Sequence, residues 1–288
     1  MKSFRLTTRE GDGERTLVSS RPSMPATKHT TVNRVRRLDY KAPALEKGID
    51  IIELLAGEQN GLTISEIAFR LKRSLSEIFR VAVVMERRQW LQKDPESSRY
   101  TVTYRLLELA HRGTPAQAMS LVAAPVMSQL SHDINQSCHL VVPAGGHGLV
   151  ILRQENAATP GGFSMRVGAV VDLIATSPGH LLLAFAEPDV RASILRLIPA
   201  PWPLGRKVLE RRLARVRSRG CEILPSALAA GVTDISYPIH AREGRVVAAL
   251  TVPFLAGSRR AQKLTLDKTR AMLQRAARQV SQSLVLIR

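Results

Sequence analysis

Two four-residue strings, Thr63-Ile64-Ser65-Glu66 and Ser74-Leu75-Ser76-Glu77, begin eleven residues apart and constrain this chain more than any other feature. Each has the capping-box form. The hydroxyl accepts from the backbone N–H three residues on, and the glutamate carboxylate reaches back to the N–H of the capping residue. Each therefore starts a helix. The first can run only to about Leu71 before the second start signal arrives. The second carries Ile78, Ala82 and Met85 as one apolar stripe and extends to about Gln89. Two helices joined by three or four residues, the second presenting its first turn outward, make a helix-turn-helix.

The flanks complete the unit. Leu45, Ile49, Ile52 and Leu55 recur at three- and four-residue spacing, which predicts a preceding helix that stops at Gly57 and the Asn60-Gly61 turn. Downstream, Trp90 to Lys93 and Arg99 to Val102 flank a polar turn at 94–98, the pattern of a hairpin. Three helices and a hairpin predict a winged helix-turn-helix. In that arrangement the residues that meet DNA are Arg73, Ser74, Leu75, Ser76, Glu77 and Arg80. Arg80 suits a guanine edge or a phosphate. Glu77 has two readings, as an acceptor for a cytosine amino group or as the cap of its own helix.

Charge tests this reading. The 288 residues carry 42 Lys+Arg against 24 Asp+Glu, a net +18. Ten basic and four acidic residues fall in 1–41, eleven and ten in 42–118, and 21 and ten in 119–288. The segment with the helix-turn-helix is thus almost neutral, and what matters for phosphate contact is clustering on one face. Arg70, Lys72, Arg73, Arg80, Arg87 and Arg88 supply that cluster. Residues 1–41 lack apolar periodicity and read as a mobile basic tail. Two cysteines make no disulfide framework or four-thiolate zinc site, no apolar window is long enough to span a bilayer, and the N-terminal charges do not frame a secretory signal. A cytoplasmic protein without membrane association is expected.

The second half reads as mixed α/β. Strands are expected at Cys138 to Val142, Leu149 to Arg153, Thr233 to Ile239 and Val246 to Pro253. The glycines at 145, 146 and 148 form a hairpin turn and lack phosphate-loop spacing. Ser177-Pro178 is a helix start, with Ser177 as the cap and the N–H groups of Gly179 and His180 expected to face a pocket suited to an anion. Cys138 and His139 are neighbours on a strand, so they point to opposite faces and make no nucleophile and base. Seven histidines offer no metal-ligand spacing, and neither catalytic residues nor a cofactor are expected. A basic helix carries Arg206, Lys207, Arg211, Arg212, Arg215, Arg217 and Arg219 and ends at Gly220. A last helix carries Leu266, Leu273, Ala277, Val280 and Leu284, which suit either core packing or an oligomer seam.

From Ala44 onward the sequence resembles the isocitrate-lyase-regulator (IclR) family of bacterial transcription regulators. The resemblance lies in 47–55, 62–68, 73–80 and Trp90-Leu91 of the first half, and in 173–180, 216–220, 231–239 and 244–252 of the second. It implies an α+β protein, with an N-terminal winged helix-turn-helix and a C-terminal α/β effector domain resembling GAF and profilin-like sheets. The corresponding divisions are a tail over 1–41, the winged helix-turn-helix over 42–103, a linker helix over 104–118 and an effector and oligomerisation domain over 119–288. The resemblance also implies homodimers or dimers of dimers on double-stranded operator DNA, and control of a catabolic operon, repression ahead of activation. The effector it implies is a small, carboxylate-bearing metabolite, in a pocket lined by Ala175, Thr176, Gly179, Asp234 and Ser236. Departures exist. Lys72 stands where the family usually has Gly, Asp234 where a Cys is frequent and His180 where a Lys is frequent, and the loop 225–230 lacks the common acids. The rival expectation is a metabolite-transforming enzyme with an accessory helical domain, which requires an acid–base pair or nucleophile that the sequence does not offer.

Overall fold

Ile51, Leu55, Ile67, Ile78, Ala82, Leu91 and Tyr100 close into one buried cluster, and around it the first domain is built. The structure is a computed structural model that describes residues 41–112, 115–155, 163–256 and 264–286. Apart from Lys41, the basic tail lies outside them. Helices α1 (Pro43–Ala56), α2 (Ile64–Arg70) and α3 (Leu75–Arg87) precede a hairpin of β2 (Leu91–Lys93) and β3 (Arg99–Val102). A two-residue strand, β1 (Leu62–Thr63), adds to β3, so the small antiparallel sheet runs β1-β3-β2. Gly61 sits at φ +62°, where a Cβ would stand 2.5 Å from the Tyr100 carbonyl oxygen, so the chain enters β1 only as glycine.

A short helix, α4 (Arg105–His111), follows, and α5 (Pro115–Ile134) begins three residues after it ends. The stretch 104–118 therefore holds α4 and the start of a second helix, and α5 belongs to the next core. There β4 (Cys138–Ala144), β5 (His147–Gln154), β6 (Val170–Val171), β7 (Glu222–Pro225), β8 (Val232–His240) and β9 (Val246–Leu255) form one antiparallel sheet in the order β6-β5-β4-β9-β8-β7. Four of these strands match the expected positions, and Gly145-Gly146 is the β4–β5 turn. The two missed strands, β6 and β7, are two and four residues long and sit at the sheet edges, too short to show alternation.

Period-two alternation divides the sheet's side chains between two cores. Leu140, Ile235, Leu250 and Val252 face α5 and α9 (Leu266–Leu286), meeting Met127, Leu273, Ala277 and Val280. The inner face of the last helix is therefore core packing. Val141, Val150 and Ala249 face the other way, toward α6 (Ser177–Phe185) and α8 (Arg206–Arg219), meeting Leu181, Leu183, Leu209, Leu213 and Val216. Helix α7 (Pro188–Leu197) contributes only partly buried Ile194 and Leu195. The result is a three-layer α/β/α domain. Cys138 and His139 split between the two faces, both buried. Burial pushes the thiol up to about 12 and the imidazole down to about 4.

Candidate functional site

The starts of α2 and α3 are each held by reciprocal polar contacts. The Thr63 N–H donates to Glu66 Oε2 at 2.7 Å, and the Glu66 N–H donates to Thr63 Oγ1 at 3.3 Å. Arg99 of the hairpin binds both Glu66 oxygens, at 3.1 and 3.2 Å, and the Gly61 carbonyl at 2.9 Å. The root of the wing and the start of α2 are thereby one unit. At the start of α3, the Ser74 N–H donates to Glu77 Oε2 at 3.1 Å and the Glu77 N–H donates to Ser74 Oγ at 3.4 Å. Lys47 of α1 adds Nζ to Glu77 Oε1 at 2.6 Å. Both carboxylate oxygens are thus engaged, and Lys47 with Ser74 holds the acid down at about 2. Glu77 fixes the helix start rather than presenting a free acceptor.

Ile78, Ala82 and Met85 anchor the back of α3, and burial of each large side chain is worth roughly 1.5–3 kcal/mol. The opposite edge is open: Arg73, Ser74, Leu75, Ser76 and Arg80 are all exposed. Arg80 Nε donates to the Ser76 carbonyl at 3.3 Å, one turn back, which lays the guanidinium along the exposed stripe. Phe79, 52% exposed, stands one turn after Leu75 on the same stripe, and Phe69 is 85% exposed at the end of α2. Sequence reasoning passed over both aromatics. The signal was the i, i+4 relation of Leu75 and Phe79, which flanks the Ile78–Ala82 stripe. Lys72 adopts φ +51°, the left-handed region that glycine would fill without strain.

In the second domain the expected effector residues separate. A cavity of about 460 Å³ opens where the β4–β5 turn, β6 and the approach to α6 meet; its walls include His147, Val171, Asp172, Ala175, Thr176 and Leu228. Ala175 and Thr176 line it; Gly179, Asp234 and Ser236 do not. The cap of α6 is Thr176 rather than Ser177. Its Oγ1 accepts from the Gly179 N–H at 3.2 Å, and its carbonyl accepts from the His180 N–H at 2.9 Å. Neither N–H faces the cavity. With Pro178 lacking one altogether, the first turn of α6 has little left for an anion. A Cβ on Gly179 would stand 2.4 Å from Leu173 Cα, so this glycine serves close packing of α6 on the 172–174 loop.

Ser177 instead donates to the Glu222 carbonyl at 3.1 Å and shares a hydroxyl–hydroxyl bond with Ser236 at 2.8 Å, and Ser236 in turn pairs with Thr251 at 2.8 Å. All three hydroxyl residues are wholly buried, so Ser236 belongs to a chain tying α6 to β8 and β9. Asp234, two residues away on the same face of β8, is 7% exposed, and burial pushes its carboxyl up to about 6 against a hydrogen bond from Ser226. His180 is also buried. Its Nε2 donates to the Ile174 carbonyl at 2.6 Å, and burial lowers its pKa. Asp172, which the sequence reading missed, accepts at Oδ1 from the N–H groups of Ile174 and Ala175, at 2.6 and 3.0 Å, and lines the cavity. Among the described residues no group of three His, Cys, Asp or Glu side chains is placed to hold a metal, and no helix is long and apolar enough to cross a membrane.

Comparison with known proteins decides the family. Residues 44–95 match the IclR helix-turn-helix domain, and residues 116–282 match the domain described as bacterial transcriptional regulator IclR C-terminal. The chain belongs to the IclR family. Curated relatives include the HTH-type transcriptional regulator XynR of Escherichia coli K12, 24% identical over 247 residues, covering 84% of this chain and 96% of XynR. The Pca regulon regulatory protein of Pseudomonas putida is 22% identical over 219 residues, covering 73% of each chain. Among solved structures, an IclR homolog from Microbacterium hydrocarbonoxydans complexed with 4-hydroxybenzoate superposes with a TM-score of 0.70 at 27% identity, covering 85% of this chain and all of that one. The Thermotoga maritima IclR gives 0.60 at 22% identity, covering 84% and 98%.

This IclR-family member is a DNA-binding transcriptional regulator and not an enzyme. The exposed first turn of α3 lies within the matched helix-turn-helix, and both the Asp172 cavity and the Ser177–Ser236–Thr251 chain lie within the matched C-terminal domain. The left-handed Lys72 locates the family's usual glycine: the backbone keeps the glycine conformation although the side chain has changed.

Proposed function

We propose that α3 of each subunit enters a major groove of operator DNA, where Arg73, Ser74, Leu75, Ser76 and Arg80 make the contacts and Phe79 packs on thymine methyl groups. Glu77 and Lys47 hold that edge in place from behind. The observation that carries the reading is the exposure of the first two turns of α3 while its other face is locked into the core. The protein acts as a homodimer or dimer of dimers. Supporting this, α1 and α4 leave Leu45, Ile49, Leu106 and Leu107 exposed, and an apolar groove of about 950 Å³ between α1 and α3 is lined by Leu45, Ile49, Ile52, Val81 and Val84. A second copy would cover these side chains.

The effector is a small metabolite bearing a carboxylate and a hydroxyl, bound in the 460 Å³ cavity beside Ala175 and Thr176. The Asp172 carboxylate would accept from the hydroxyl, and His147 across the cavity would meet the acid group. Gly179 and Ser236 shape this region from within the fold, and Asp234 stands outside its lining. The 4-hydroxybenzoate carried by the Microbacterium homolog has both groups, which supports the assignment. The protein represses a catabolic operon until the effector shifts the balance of quaternary arrangements, which requires unequal affinity for the two.

A gel-shift titration on the DNA upstream of its own gene, with and without candidate hydroxy acids, tests both halves. Arg80→Ala should weaken operator binding by about 1–3 kcal/mol with relaxed specificity if Arg80 reads a base, or uniformly across sequences if it holds a phosphate. Unchanged affinity would refute the assignment of α3.

A further inference from the structure

Four arginines converge where the end of α8, strands β7 and β8, and α9 meet. Two adjoining cavities, of about 470 and 450 Å³, share Arg219, Tyr237 and Gln274 in their walls. Arg217 and Arg278 line the first and Arg270 the second, so the pair forms one groove bordered by four guanidinium groups. Among the described residues no carboxylate lines either cavity. Two acids that interact with these arginines stand outside it. Asp267 reaches only to 3.9 Å from Arg270 with its side chain in solvent, and Glu222 lies within the field of Arg219 from beyond the wall. A concave surface lined by one sign of charge focuses its field and concentrates counter-ions.

Part of the groove is already ordered. The Arg217 Nε and Nη2 both donate to the Ala184 carbonyl at the end of α6, at 2.8 and 2.5 Å, so this arm needs little further immobilisation. Tyr237 adds a hydroxyl without adding charge: burial and the neighbouring Cys221 thiol push its phenol up to about 12. The amides of Gln274 and Gln282 complete a lining able to donate to oxygens. None of these residues lines the Asp172 cavity. The α3 edge and the Asp172 cavity therefore leave this groove without a role.

We propose that the groove is a second ligand site, which takes a small molecule carrying two anionic groups, a diphosphate or a polycarboxylate. Arg219 sits between the two lobes, with Arg217 and Arg278 on one side of it and Arg270 on the other. A ligand with a single anionic group would engage one lobe only. The assignment stands independently of the operator and hydroxy-acid readings above.

Isothermal titration of the full-length protein with pyrophosphate and, separately, with succinate tests it, with glycerol as the uncharged control. Saturable binding of at least one dianion, one per subunit, is expected, and which of the two binds tells phosphate from carboxylate. Arg219→Gln and Arg278→Gln should each weaken it by about tenfold. Lys207→Gln and Arg211→Gln, on α8 but outside the groove, should leave it unchanged. Three results would overturn the proposal: no saturable binding of either dianion up to millimolar concentration, equal weakening by the variants outside the groove, or a loss of operator affinity in Arg278→Gln while neither dianion binds. The last would assign the arginines to DNA phosphates.

Discussion

Asp234→Asn should stabilise the second domain at neutral pH, in spite of removing a buried charge that accepts a hydrogen bond. Asp234 is almost wholly buried near the start of β8, and its carboxyl is raised from an ordinary 3.8 to about 6. A raised carboxyl binds its proton more tightly in the folded chain than in the unfolded one. Stability from this group is therefore complete below about pH 4 and is lost as pH climbs through about 6. The gap of about 2 units, at 1.36 kcal/mol per unit, puts the cost of the ionised form above pH 6 at roughly 2–3 kcal/mol. Asparagine keeps the shape and still accepts from Ser226, but never ionises. Urea unfolding followed by Trp202 fluorescence in a Trp90→Phe background reads this domain alone. The variant should match the parent near pH 4 and exceed it by roughly 2–3 kcal/mol at pH 7.5. A pH-independent difference, or destabilisation at pH 7.5, would refute the account of Asp234 as a carboxyl strained by burial.

Other substitutions probe single contacts. Lys72→Gly should relieve the left-handed strain and stabilise the first domain by about 0.5–1 kcal/mol, read as a higher urea midpoint. If Lys72 also touches phosphate, the same variant lowers the salt dependence of operator binding by about one ion, readable from affinities at several salt concentrations. Gly179→Ala should cost at least about 1–3 kcal/mol, because the new methyl meets the Leu173 and Asp172 backbone, which cannot rotate aside as a side chain would. A thermal melt that matches the parent would show that the loop yields.

What could be read from the sequence divides by the range of the interactions. The capping boxes at Thr63 and Ser74 were legible because every contact in them lies within four residues. Lys72 was visible as a glycine position through the family resemblance, and the tight α2–α3 turn is where its φ of +51° falls. Thr176 and Ser177 are both able caps in adjacent positions, and local pattern could not choose between them. The choice is made 59 residues away, where Ser236 takes the Ser177 hydroxyl and leaves the cap to Thr176. Gly179 and Ser236 were placed in the pocket by the family resemblance, which says nothing of their own packing. Their partners, the 172–174 backbone and Thr251, are set by how α6 lies on the sheet. Asp172 escaped notice because an aspartate that accepts from the two N–H groups after it looks, in sequence, like any turn residue.

That correction changes the chemistry available to the cavity. A helix N-terminus with free N–H groups would bind any carboxylate through the backbone, with little regard for the rest of the molecule. Here Thr176 has taken the Gly179 and His180 N–H groups for the fold, and Pro178 has none to give. On the proposed effector reading, selectivity then comes from side chains. Asp172 repels a bare anion and favours a hydroxyl that can donate to its carboxylate, while His147 is the cavity's side chain suited to an acid group. A simple monocarboxylate lacking the hydroxyl offers Asp172 no donor and loses the interaction that offsets the repulsion between the two carboxylates. It should therefore bind at least about tenfold more weakly than the matching hydroxy acid. Replacing Asp172 by Asn should narrow that ratio by improving the affinity of the plain acid. If the ratio is unchanged in Asp172→Asn, recognition does not pass through this carboxylate, and the cavity discriminates by shape alone.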